Sequence, residues 1–212
     1  MQTIFETLSK SRETVLVCLL FIGYLALWTG KRRAQRRETG LDPAVMGKSS
    51  SPLQRYFNGL MRFLTIYAVL VIILHGAGVQ FRSLLVRLEL TDSALFDYLG
   101  FSLGLCGLTL CGFAQRWMGA SWRVGIDEKN TAPLVRSGLF AWIRNPTYTG
   151  LFLLYAGLWI IWPTWMVGIF CIIFFFFIEV QVRCEEEYLE RVHGEEYLGY
   201  KQKTRRYFPF VY

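Results

Sequence analysis

Two short stretches in the C-terminal part of the chain hold most of the residues able to do chemistry. The first begins at Leu134, Val135, Gly138 and Leu139 and continues through Arg144, Asn145, Pro146, Thr147, Tyr148, Thr149 and Gly150. Pro146 suits the first turn of a helix, which leaves Asn145 near the cap and Arg144 just outside it. A helix start offers free N–H groups, and Gly138 and Gly150 permit close approach of backbone to a ligand. An arginine fork there would hold and orient an anionic group. The same residues also describe a capped helix with a snorkelling arginine, and spacing alone favours that plainer arrangement. The second stretch contains Glu185, Glu186, Leu189, Gly194, Tyr197, Tyr200 and Pro209. Adjacent carboxylates are costly if buried and ordinary if solvated, so both readings stay open here. Glu179, which follows the apolar run Phe174 to Ile178, has Arg183 one helical turn later as an ion-pair partner.

These residues must be positioned by membrane helices. Of 212 residues, 53% are hydrophobic and only 18% charged, a composition that does not describe a soluble domain. The fold class expected is all-α: a polytopic membrane protein of about five transmembrane helices, with a C-terminal helical hairpin and a cytosolic amphipathic helix. Apolar spans are expected over 14–30, 60–79 and 94–114. A further apolar region, 146–182, is interrupted by Trp162, Pro163 and Thr164, so it reads as a hairpin of two helices, each of about 16 residues or roughly 24 Å. Trp159, Trp162 and Trp165 cluster at its turn, as expected at a membrane interface. Gly100, Gly104 and Gly107 recur at helical spacing, which suits packing within the chain better than a dimer seam. The expected organisation is a three-helix membrane region over 1–115, with a cytosolic connector at 31–58, followed by a catalytic region over 116–212.

The net charge of +7 is dispersed between long apolar runs, which argues against nucleic acid as a partner. Segments 31–58, 116–145 and 183–212 hold seven, five and six Lys or Arg, against two each in 1–13 and 80–93. This bias puts the N-terminus outside and the C-terminus in the cytoplasm, in the inner membrane if the cell is bacterial. The basic block after the first span, rather than before it, argues against a cleaved signal peptide. Five cysteines form no CxxC pair, and His75 and His193 lie far apart, so neither a disulfide framework nor a metal site is expected. No GxGxxG or P-loop is present, which excludes a Rossmann-type nucleotide site.

The order Leu134-Val135, Gly138, Arg144-Asn145-Pro146-Thr147-Tyr148-Thr149-Gly150, then Glu185-Glu186-x-x-Leu189, Gly194-x-x-Tyr197-x-x-Tyr200 and Pro209 resembles the signature of the isoprenylcysteine carboxyl methyltransferases and their phospholipid methyltransferase relatives. Ser121 to Ile126 is similar to bacterial members. The resemblance covers roughly 116–212. It implies a membrane methyltransferase that takes S-adenosylmethionine from the cytosol and a lipophilic or prenylated acceptor from the bilayer. By that resemblance Leu134, Val135, Gly138, Leu139, Asn145, Pro146, Tyr148, Gly150, Glu185 and Glu186 fall near the cofactor, and Arg144, Asn145 and Glu186 are catalytic candidates. The chain departs from the family pattern at Asn145 and Ala132, where histidines are usual, and at Gln181 and Arg205, where arginine and proline are common. Carboxyl O-methylation of isoprenylcysteine type is the implied reaction. Phospholipid amine N-methylation, a reductase and a non-catalytic membrane protein with the same fold are the alternatives, and the oligomeric state is left open.

Overall fold

The computed structural model describes residues 2–77, 79, 84 and 93–209. Among the described residues six α-helices follow one another: α1 (Gln2–Thr39), α2 (Pro52–Gly76), α3 (Ala94–Met118), α4 (Pro146–Ile161), α5 (Trp165–His193) and α6 (Glu195–Lys203). Their ends have local causes. Pro52 and Pro146 sit in the first turns of α2 and α4, where the missing N–H costs nothing. Thr164 caps α5 by accepting from the Val167 N–H at 3.3 Å, directly after Pro163 has ended the hairpin's first arm. Gly194, at φ +52°, closes α5 and opens α6.

Four of these helices are long and apolar enough to cross a bilayer, and α4 is a shorter apolar helix of 16 residues. Their outward faces carry Leu19, Ile22, Phe63, Ile66, Ile172 and Phe176, all exposed, which only a lipid surround makes favourable. The chain is therefore an all-α, integral membrane protein.

The helices outrun their apolar spans. The α1 helix continues through the Lys31–Arg37 block to Thr39, and α2 begins at Pro52, so the irregular connector shrinks from 31–58 to 40–51. Lys and Arg leave the hydrocarbon without leaving the helix, because they are good helix formers. The hairpin breaks where expected, but its second arm has 29 residues rather than about 16. The amphipathic segment after Val182 is the same helix carried beyond its apolar stretch. Trp162 is buried and packs against His75 with ring centroids 4.0 Å apart and planes tilted by 35°, whereas Trp159 and Trp165 are exposed. The two loop charges counted over 80–93, Arg82 and Arg87, lie outside the described residues.

The α3 and α4 helices meet at a seam of glycines. Gly100 and Gly107 on α3 face Gly157 and Gly150 on α4, an antiparallel match whose contacts are seven positions apart on each helix. A Cβ on Gly100 would lie 2.7 Å from the Gly157 carbonyl oxygen, and one on Gly150 would lie 2.6 Å from that of Gly107. Nothing larger than hydrogen fits. Gly104 instead faces Leu20 of α1. The small residues thus serve packing within the chain, and the seam fixes the helix that carries Tyr148.

The segments rich in Lys and Arg come together at one end of the bundle. Gln35 donates to the carbonyls of Ala120 and Trp122, and the N–H groups of Val45 and Met46 donate to that of Val124. The connector is also fastened by Asp42, which accepts from Arg32 at 2.8 and 2.7 Å and faces Arg36 at 3.3 Å. The Arg32 hydrogen bonds, with help from the Ala44 N–H and the two arginine charges, hold the Asp42 carboxyl down to about 2. A free aspartate titrates near 3.9. The undocked connector therefore binds the proton more readily, so this fastening is complete above about pH 4 and is lost as pH falls towards 2. Limited proteolysis within 40–48 should accelerate over that window, and Asp42→Asn should remove the pH dependence.

Candidate active site

The two motif stretches lie far apart in sequence and are joined by the C-terminal tail. The Arg144 N–H donates to the Arg205 carbonyl at 2.7 Å, the Asn145 N–H to that of Arg206 at 3.1 Å, and the Arg205 N–H returns to Trp142 at 3.2 Å. Tyr200 donates to the Phe140 carbonyl at 2.7 Å, and Thr149 to that of Tyr207 at 2.8 Å. Burial pushes the Tyr200 hydroxyl up to about 12, so it remains a donor at neutral pH. These bonds strap the loop before α4 to the segment after α6.

Within this frame the charged side chains interlock. Arg144 donates through Nε to Glu186 Oε1 at 3.0 Å, and through Nη1 to the carbonyls of Lys201 and Thr204 at 3.2 and 2.6 Å. Arg206 takes the other side of Glu186, with Nη2 2.8 Å from Oε2 and Nε 3.3 Å from Oε1. Asn145 Nδ2 is at 3.5 Å from the same carboxylate. Glu186 is thus buried between two guanidinium groups, and its acceptor capacity is consumed by protein. Glu185 differs. Both of its described donors, Tyr148 at 2.8 Å and Gln181 at 2.7 Å, bind Oε1, which leaves Oε2 without a protein donor among the described residues. Arg144 Nη2 likewise has no protein acceptor among them. Glu179 pairs with Arg183 at 3.3 Å, as its spacing suggests, and also lies 3.9 Å from Arg206.

A cavity of about 740 Å³ opens over these groups. Leu134, Val135, Arg144, Asn145, Pro146, Tyr148, Glu185 and Glu186 line it, as do Ala132, His193 and Tyr197. Its far part is apolar, walled by Tyr24, Leu64, Leu151, Tyr155, Phe170 and Phe174 from α1, α2, α4 and α5. Gly138, Leu139 and Gly150 are absent from the wall. Gly138, at φ +60°, turns the chain beneath the Trp117 ring, which leaves no room for a Cβ. Leu139 lies in the short helical turn that follows and Gly150 in the α3–α4 seam. The wall holds unused hydrogen-bonding capacity. Tyr197 Oη, Thr147 Oγ1 and Gln115 Oε1 are buried without partners, and all three residues border the cavity. Burial raises the Tyr197 hydroxyl well above its ordinary range, so it keeps its proton. Orphaned buried polar atoms are costly unless a ligand meets them. The volume is within the usual range for small-molecule sites. A nucleoside-sized polar ligand with an apolar neighbour fits both parts. Among the described residues no group of three His, Cys, Asp or Glu side chains could hold a metal ion.

Three residues of this arrangement escape a reading of the sequence alone. Gln54, on α2, and Arg206, in the tail, carry no motif. Gln181 is visible only as a departure from a family pattern, although a glutamine one turn before paired glutamates on an otherwise apolar helix is itself a signal.

Fold and site together define a polytopic helical membrane protein with one end of its cavity polar and the other apolar. Residues 97–196 match the family model described as Phospholipid methyltransferase. The Protein-S-isoprenylcysteine O-methyltransferase of Xenopus laevis is 32% identical over 129 residues, covering 58% of this chain and 44% of that protein. The human protein of the same name is 35% identical over 89 residues, 40% of this chain and 30% of its own length. That of Saccharomyces cerevisiae is 35% identical over 80 residues, 37% and 33% respectively. The matches span less than half the length of these relatives. The region similar to that family model holds the first motif stretch, the hairpin and the second stretch as far as Glu196.

Proposed function

We propose that this protein is a membrane methyltransferase that uses S-adenosylmethionine to methylate a lipophilic or lipid-attached acceptor, by carboxyl O-methylation of the isoprenylcysteine type. The observation that carries this reading is the single cavity that places Arg144, Tyr148 and Glu185 at one end and an apolar channel at the other. When bound, the cofactor supplies a methyl group that its sulfonium already makes electrophilic. The protein then has mainly to bind and align, because a carboxylate acceptor needs no base and in-line placement provides most of the rate. Arg144, through the free Nη2, orients the acceptor carboxylate. The face of Tyr148 attracts a cationic sulfur. Glu185 Oε2 accepts from hydroxyl or amino groups, and Leu134, Val135 and Pro146 supply apolar contact to a nucleoside. The apolar wall excludes water and receives a prenyl chain.

The basic end of the bundle faces the cytoplasm in this reading, with the N-terminus outside, in keeping with the distribution of Lys and Arg. A second reaction, amine N-methylation of a phospholipid, is favoured by the family model's own description. It would need a base, and Glu185 is the carboxylate with a free oxygen at the cavity. The test is transfer of labelled methyl from S-adenosylmethionine by the purified protein, offered small S-prenylated cysteines and membrane phospholipids in parallel. Base-labile counts in the methyl ester of the S-prenylated cysteine are expected. Counts in lipid headgroups alone would shift the reading to the amine reaction, and none in either would overturn it.

A further inference from the structure

A chain of hydrogen bonds enters the site from a helix that the family match does not reach. Gln54, in the first turn of α2, is 1% exposed and does not line the cavity. Its Oε1 accepts from the Ile126 backbone N–H at 3.3 Å, and its Nε2 donates to Gln181 Oε1 at 3.0 Å. Gln181, equally buried, donates from Nε2 to Glu185 Oε1 at 2.7 Å. A backbone N–H can only donate, so Ile126 fixes which end of the Gln54 amide faces it. That choice fixes the Gln181 amide in turn. The relay therefore has one direction, from the loop after α3 to the carboxylate, and each buried member is satisfied only if the next is in place. Tyr148 donates to the same Oε1 from the opposite helix, so Glu185 is held by one oxygen from two sides.

We infer that Gln54 is a positioning residue for the cofactor: through Gln181 it holds Glu185 with Oε2 turned to the ligand, and it ties that hold to the docking of the Ile126 loop on α2. This inference rests on the S-adenosylmethionine reading given above. Gln54 touches no ligand, so its effect must pass through Gln181, and that makes it separable from mere packing.

The test uses the full chain in detergent, titrated calorimetrically with S-adenosylmethionine. Gln54→Met keeps the volume of the side chain and removes both hydrogen bonds. Its Kd is expected to rise about tenfold, because a Gln181 amide released from Gln54 no longer keeps its own bond to the Glu185 carboxylate in place. The KM for a small S-farnesylated cysteine should stay within about twofold, since that group occupies the apolar part. Gln181→Met should weaken cofactor binding as well, and adding Gln54→Met to it should weaken it no further. Where Gln54→Met does not fold, Gln54→Asn, one methylene too short to reach Gln181, serves in its place with the same expectation. An unchanged Kd, or effects of the two substitutions that multiply, overturns the relay while leaving the proposed reaction intact. Failure of the unaltered protein to bind S-adenosylmethionine overturns both.

Discussion

Replacing Arg144 with alanine should lower methyl transfer by about 100-fold or more, with a smaller loss of folding stability. The rate effect follows from removing a fixed donor at the point where the acceptor's charge is held, for which losses of about 10²–10³ are usual. The stability effect is limited by the neighbours. Deleting one partner of a buried ion pair costs about 3–5 kcal/mol when the other charge is stranded. Here Glu186 keeps Arg206 at 2.8 Å, so the carboxylate stays paired and only the bonds made by Arg144 itself are lost. Arg144→Lys should be nearly as inactive, because one ammonium cannot serve Glu186, the Lys201 and Thr204 carbonyls and a ligand at once. Labelled methyl transfer and a melting curve on the same preparations check both halves. Retained activity in Arg144→Lys would place this residue in the scaffold rather than at the reaction.

The largest structural effect is expected at Gly157. A Cβ there would lie 2.6 Å from the Gly104 backbone nitrogen and closer still to the Gly100 carbonyl oxygen, so a single methyl group must push α3 and α4 apart. Backbone cannot step aside as a side chain can, and overpacking of about 3 kcal/mol or more is expected. Because α4 carries Tyr148 and α5 carries Glu185, the same displacement opens the cavity. Gly157→Ala should therefore fall to low yield or melt far below the unaltered protein in detergent. Gly199→Ala is the control, since a Cβ at that position in α6 meets nothing within 4 Å. It should be neutral or slightly stabilising, as alanine is the better helix former. A Gly157→Ala protein that melts with the unaltered one would show that the seam is not closely packed.

How much of this was legible in the sequence depended on whether the cause was local. Pro163 breaks the hairpin, and Pro146 starts its first arm, through their own backbone chemistry, so both boundaries could be read directly. The spacing of Gly100, Gly104 and Gly107 showed a close-packed face, but not that Gly150 and Gly157 complete it, since a periodic pattern names no partner. Lys31 to Arg37 reads as the end of the apolar span, yet the helix runs on to Thr39, because hydropathy and helix propensity part company in arginine and lysine. At the site, the motif residues Arg144, Tyr148, Glu185 and Glu186 were found by resemblance. Their division of labour was not, because it depends on Arg206 and Gln181 binding opposite members of the glutamate pair. The contact between Gln54 and Gln181 joins residues 127 positions apart, and neither side chain announces the other.

The claim on which the rest depends is that the cavity above Glu185 and Arg144 holds S-adenosylmethionine. Isothermal titration of the unaltered protein in detergent tests it most directly. One S-adenosylmethionine per chain should bind saturably, and this binding should be abolished or strongly weakened in Glu185→Gln, whose melting curve should stay close to that of the unaltered protein. Absence of binding by a well-folded preparation, or binding that Glu185→Gln leaves untouched, would contradict it.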